Sequence, residues 1–152
     1  GFIGAPLWIA KACNKIQGQV TSATCAIAQK AAERAMLADP RSTTQEMKDT
    51  FLKRRNLLIE LLKDIPGIKC NVPQGAFYVF PDVSYYFGKS DGTNTINNAN
   101  DLCMYLLNNA HVAFVAGDAF GNPECIRISY AAADEKLIEA MDRIKKQLAK
   151  LS

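Results

Sequence analysis

Histidine is almost absent from this chain of 152 residues, and His111 stands alone. A zinc set built on imidazoles, a Ser-His-Asp triad and a Cys-His pair therefore lack their material, and no metal site is expected. His111 lies between the helix-like run ending at Ala110 and Val112-Ala113-Phe114-Val115, which reads as a structural position. Five cysteines, at 13, 25, 70, 103 and 125, form no Cys-x-x-Cys pair and are odd in number. They predict reduced, mostly buried thiols in a cytoplasmic protein. An excess of one charge is missing too: 18 Lys and Arg face 15 Asp and Glu, leaving +3 with no basic run, so no nucleic-acid partner is expected. Apolar stretches extend for only a few residues against the roughly 20 that span a bilayer, so no membrane protein is expected. The opening Gly1-Phe2-Ile3-Gly4-Ala5-Pro6 has neither an initiator Met nor the basic start of a signal peptide, and the chain reads as a piece of something longer.

What is present suits one globular domain with an appendage: 49% of residues are apolar and 22% charged. Pro6 fits the first turn of a helix with Ile9, Ala12, Cys13 and Ile16 on one face, ended by Gly18. A second helix from Ser22 or Thr24 carries Ala28, Ala31, Ala32 and Ala35, a stripe of small residues that lets another backbone approach closely. Asp39-Pro40-Arg41-Ser42 breaks the pattern, and the main boundary is placed there. Thr43 with Glu46 forms a capping-box signature for a long bridging helix over about 43–65, stopped by Pro66-Gly67. Its polar middle, Lys53-Arg54-Arg55-Asn56, reads as a solvated face.

From Ile68 the pattern becomes β-like, with strands expected over 68–72 and 76–80, a mobile loop over 88–98 and an apolar element over 112–115. Ala99, Leu102, Cys103, Leu106, Leu107 and Ala110 recur at helical spacing. A last helix from near Asp134 aligns Leu137, Met141, Ile144, Leu148 and Leu151, and should pack on a sheet. Strands with two or three covering helices make this an α/β or α+β layer domain.

Period-two alternation in the strand at 125–130 puts Ile126, Ile128 and Tyr130 on one face and Cys125, Arg127 and Ser129 on the other. Arg127 is then either an edge-strand arginine in water or a guanidinium whose planar fork takes a carboxylate or phosphate. The preceding loop, Val115-Ala116-Gly117-Asp118-Ala119-Phe120-Gly121-Asn122-Pro123, has two glycines and a buried-looking aromatic but no Lys-Ser or Lys-Thr ending, so it is no P-loop. Pattern alone stops at an anion-binding α/β domain.

Three segments in order carry more: Pro73-Gln74-Gly75-Ala76-Phe77-Tyr78-Val79-Phe80-Pro81-Asp82, Val115-Ala116-Gly117-Asp118-Ala119-Phe120-Gly121 and Ile126-Arg127-Ile128-Ser129-Tyr130-Ala131. With Pro6-Leu7-Trp8-Ile9 and Ile16-Gln17-Gly18-Gln19-Val20-Thr21-Ser22 upstream, the whole chain resembles the C-terminal half of a class I, fold-type-I pyridoxal-phosphate aminotransferase of the aspartate aminotransferase group. The resemblance implies that residues 1–38 are the tail of the large cofactor-binding domain. Residues 39–152 would form the C-terminal small domain, a small sheet covered by helices. Gly1 would follow the Gly-Trp-Arg signature, so the cofactor lysine lies upstream and this chain holds no catalytic residue. Arg127 would grip the substrate's α-carboxylate. Ala116, where the family often has proline, and Ala23, where many relatives carry asparagine or glycine, depart from the pattern. The implied activity of the parent is amino transfer between an L-amino acid, aspartate foremost, and a 2-oxo acid such as 2-oxoglutarate, in a homodimer with pyridoxal 5'-phosphate; the fragment itself should be inactive. Aromatic or alanine-type substrates, or a non-catalytic ligand-binding or regulatory module on the same fold, are the alternatives.

Overall fold

The computed structural model describes residues 2–152, except for the side chain of Thr43. The chain divides into two compact units, one ending at Gln45 and one spanning Glu46–Ser152, a few residues beyond the Asp39 turn where the sequence pattern changes.

In the first unit, α1 (Leu7–Val20) starts immediately after Pro6, whose carbonyl accepts from the Ile9 and Ala10 amides. Gly18 was expected to stop this helix but lies inside it, since an interior glycine costs only about 1 kcal/mol. The stop comes at Ser22, whose backbone is left-handed at φ 64°. Helix α2 (Ala26–Leu37) begins after Cys25 rather than at Ser22 or Thr24, and its alanine stripe is exposed. Asp39 caps the single turn α3 (Pro40–Thr43): its carboxylate accepts from the Arg41 amide at 3.0 Å, and Pro40 sits where no amide is needed. Neither α1 nor α2 buries a residue.

Helix α4 (Gln45–Lys63), all but its first residue in the second unit, is 19 residues long and shorter than the expected 43–65 because Thr43 closes the preceding turn. The expected Thr43–Glu46 capping box involves a side chain outside the described residues. Leu58, Ile59 and Leu62 point into the core. Three short strands follow in a fully antiparallel sheet of order β1-β3-β2: β1 (Tyr78–Val79), β2 (Val115–Ala116) and β3 (Ile126–Ser129). The expected strand at 68–72 contracts to one bridge between Lys69 and Asp82. The strand expected at 76–80 contracts to two residues because Ala76 is left-handed, at φ 59°, and turns the backbone out of any ladder. The 88–98 loop, expected to be mobile, is tied down. The Asp91 carboxylate accepts from the Thr93 and Asn94 amides at 2.9 and 2.7 Å, and Ser90 exchanges backbone hydrogen bonds with Ser152.

Helix α5 (Ala99–Ala110) is capped by Asn98, which accepts from the Asp101 amide, and ends at His111, left-handed at φ 54°. That gives the lone histidine its structural place. Helix α6 (Asp134–Leu148) buries Leu137, Met141, Ile144 and Leu148, with Leu151 beyond it, as their spacing predicts. It packs on α5, and α5 in turn on β2. The result is an α+β layer in which every buried apolar side chain lies at or beyond Leu58. The cysteines split accordingly. Cys103 and Cys125 are buried, Cys70 is half-buried, and Cys13 in α1 and Cys25 at the start of α2 are exposed, because neither helix buries a residue. No helix among the described residues is long and apolar enough to cross a membrane, and no described cluster of His, Cys, Asp and Glu could hold a metal ion.

Candidate functional site

Arg127 sits on the central strand of the sheet, opposite Val115 of β2, so the edge-strand reading is corrected. The expected alternation is observed: Ile126, Ile128 and Tyr130 are buried, Ser129 is exposed and Arg127 half-buried. Cys125 departs from it and is buried, because it precedes the ladder and bridges to Asp82 instead.

Two rings hold the guanidinium. Its Cζ lies 4.5 Å from the Tyr78 ring centroid and 4.4 Å from that of Phe120. Tyr78 pairs with Ser129, so it is the diagonal neighbour of Arg127 on the same face, within reach of long side chains. Among the described residues no carboxylate forms an ion pair with Arg127. A guanidinium makes its hydrogen bonds in its own plane, so contacts with ring faces leave the fork available to an incoming anion.

Each ring is placed by a constrained loop. Phe120 ends the tight turn Gly117–Phe120, and a side chain at Gly117 would collide with the Asn122 and Cys125 carbonyl oxygens. The Gly117 amide donates to the Cys125 carbonyl at 2.8 Å, and Gly121 reverses the chain at φ 80°. Phe120, which looked buried in the sequence, is 47% exposed, with its ring edge-on to Phe80 at 6.1 Å. On the other side, the Tyr130 hydroxyl donates to the Ala76 carbonyl and the Tyr130 amide to the Phe77 carbonyl, both at 2.9 Å. Arg55 donates to the Pro73 carbonyl at 2.9 Å, and Phe51 stacks on Phe77 at 5.8 Å. Burial pushes the Tyr130 phenol upward, so it stays a neutral donor.

Sequence reasoning missed this support. Arg54 and Arg55 belong to a run read as solvated, yet both are half-buried. Arg54 pairs with Asp134 at 3.1 Å, while Lys53 stays largely in water and reaches the same carboxylate at 2.7 Å. The spacing of Phe51 from Leu58 was visible, but nothing local signalled that it would meet Phe77 and Tyr130.

Residues 1–144 match the family described as aminotransferase class I and II. A bifunctional aspartate aminotransferase and glutamate/aspartate-prephenate aminotransferase of Petunia hybrida is 46% identical over 97% of this chain and 32% of its own length. An aspartate aminotransferase of Rhizobium meliloti (strain 1021) is 40% identical over 100% of this chain and 37% of its own. The crystal structure of the Rhizobium meliloti aspartate aminotransferase superimposes on 98% of this chain and 37% of that one, with a TM-score of 0.83 and 39% identity. The chain thus spans about a third of the length of the curated relatives it matches. On the family match, the sequence relatives and the shared fold together, the chain belongs to the class I and II aminotransferases.

Proposed function

We propose that the whole protein transfers an amino group between an L-amino acid and a 2-oxo acid, with aspartate and 2-oxoglutarate as the pair, and that Arg127 grips the α-carboxylate of the substrate. The observation that carries this reading is a half-buried guanidinium on a central strand with no acidic partner among the described residues. Leaving such a charge partly desolvated is costly unless an anion arrives, and a bidentate carboxylate matches its fork. Aspartate is favoured because the relatives named above are aspartate aminotransferases.

Family membership implies pyridoxal phosphate as the cofactor of the whole protein. These residues do not by themselves form a cradle for it. Among the described residues no charged side chain is buried. We therefore assign the cofactor contacts, including its lysine, to sequence preceding this chain, with residues 1–38 as the tail of the large domain and 39–152 as the small domain. Arg127 then binds and orients the carboxylate, flanked by Tyr78 of β1 and Phe120 of the turn after β2. Free thiols suit a cytoplasmic setting, and a homodimer is the assembly proposed.

The test uses the full-length protein. Arg127→Leu should lower kcat/KM by about 30-fold to several-thousandfold, as loss of a charge-assisted pair of roughly 2 to 5 kcal/mol requires. Arg127→Lys should recover only part, because an ammonium lacks the fork. Unchanged steady-state kinetics in both variants would refute the role.

A further inference from the structure

An arginine that must receive a carboxylate poses a design problem. Its side chain has to be held in one orientation, yet the usual holder, an aspartate or glutamate, would occupy the donors that the ligand needs. From the contacts of Arg127 we infer that Tyr78 and Phe120 are positioning residues that solve it, orienting the guanidinium through their ring faces and leaving its in-plane donors free. This inference rests on the reading of Arg127 as the carboxylate anchor.

Three observations support it. The rings come from either side of the central strand, Tyr78 from β1 and Phe120 from the turn after β2, and approach Arg127 to 4.5 and 4.4 Å. Phe120 sets its ring edge-on to Phe80 at 6.1 Å and over the guanidinium at 4.4 Å. The turn that carries it admits no side chain at Gly117 and reverses at a left-handed Gly121, so the ring is fixed by the backbone although it faces water. A ring over a partly desolvated cation is attracted by its quadrupole while consuming no hydrogen bond.

The two rings therefore set affinity for the carboxylate rather than the chemistry. In the full-length protein, Phe120→Leu and Tyr78→Leu should each raise KM for the amino acid, and the calorimetric Kd for 2-oxoglutarate, by roughly 5- to 30-fold while kcat changes less than about twofold. Phe120→Tyr and Tyr78→Phe keep the rings and should restore the parental values. A merely structural role would move thermal stability and kcat together and show no rescue by ring identity. In an Arg127→Lys background the Phe120→Leu effect should shrink, since the two side chains act as one unit. Phe120→Leu carries the test if Tyr78→Leu fails to fold, because a half-exposed ring contributes little to the core. Parental affinity in the leucine variants, beside lost binding in Arg127→Leu, would overturn this inference alone. Normal 2-oxoglutarate binding in Arg127→Leu would overturn the anchor reading and this inference with it.

Discussion

Gly117 packs against backbone on the inside of its turn, where the Asn122 and Cys125 carbonyl oxygens leave no space for a methyl group. Backbone cannot swing away as the end of a side chain can, so Gly117→Ala should destabilise the second unit by about 1 to 3 kcal/mol. Gly121→Ala meets open space and is opposed only by its left-handed φ of 80°, a penalty of roughly 1 to 2 kcal/mol. Urea unfolding of the two variants should rank them in that order; equal midpoints would deny the close approach at Gly117. At this scale the sequence was readable where one side chain answers to a repeating pattern. Alternation placed Arg127 opposite the buried Ile126 and Ile128. It could not place Phe120, because the loop's outward turn depends on two carbonyls beyond it, nor identify Arg54 as paired, because Asp134 is 80 residues away.

Helix α6 tests the same physics over four turns. Ile144 is buried and Ile138 is 47% exposed on the same helix, so Ile144→Ala should cost about 2 to 5 kcal/mol and Ile138→Ala less than about 0.5. Native-state amide exchange at Leu102 and Leu106 of α5, against which α6 packs, reads the difference. The first residue of α6 adds a pH dependence. Lys53 and Arg54 hold the Asp134 carboxyl below its usual range, and its negative charge also suits a helix N-terminus. A depressed folded pKa gives stability that is present above the unfolded value near 4 and is lost as pH falls through the folded value. The native advantage over Asp134→Asn should therefore hold at pH 6 and be lost in acid, once the carboxyl has taken up its proton. An advantage that persisted there would mean that the charge is not its source. Helices were legible because their spacing reports burial within one segment, as Leu137, Met141 and Ile144 do. Strands were overestimated, since apolar runs at 68–72 and 76–80 declare β preference without declaring a partner. The left-handed Ala76 and the isolated Lys69–Asp82 bridge limit what pairs.

Across the whole molecule the apolar surface is divided unevenly. Every buried apolar side chain lies at or beyond Leu58, whereas Trp8 is 74% exposed and Ile27 82%. Burying Trp8, Ile16 and Ile27 would each stabilise by roughly 1.5 to 3 kcal/mol, so their faces lack a cover that these residues do not supply. Spacing in the sequence identified those faces but could not say where their partner resides, because amphipathicity records a demand and not its source. A chain that spans about a third of its relatives has two sources open to it, the remainder of the whole protein and a second copy. Three measurements on the 152-residue chain follow. Amide exchange should be fast in α1 and α2 and slow in α5 and α6, and residues 46–152 alone should keep that slow set, since the core lies wholly within them. Pyridoxal phosphate followed by borohydride should label no single lysine stoichiometrically if, as proposed, the cofactor lysine belongs to the rest of the whole protein; specific labelling would place it within this chain. Trp8 emission should be that of an indole in water at low concentration and shift to the blue as concentration rises, in step with the sedimenting mass, if copies cover one another. Blue emission in a strict monomer would instead require Trp8 to be covered within its own chain, and would overturn the exposed placement of α1 itself.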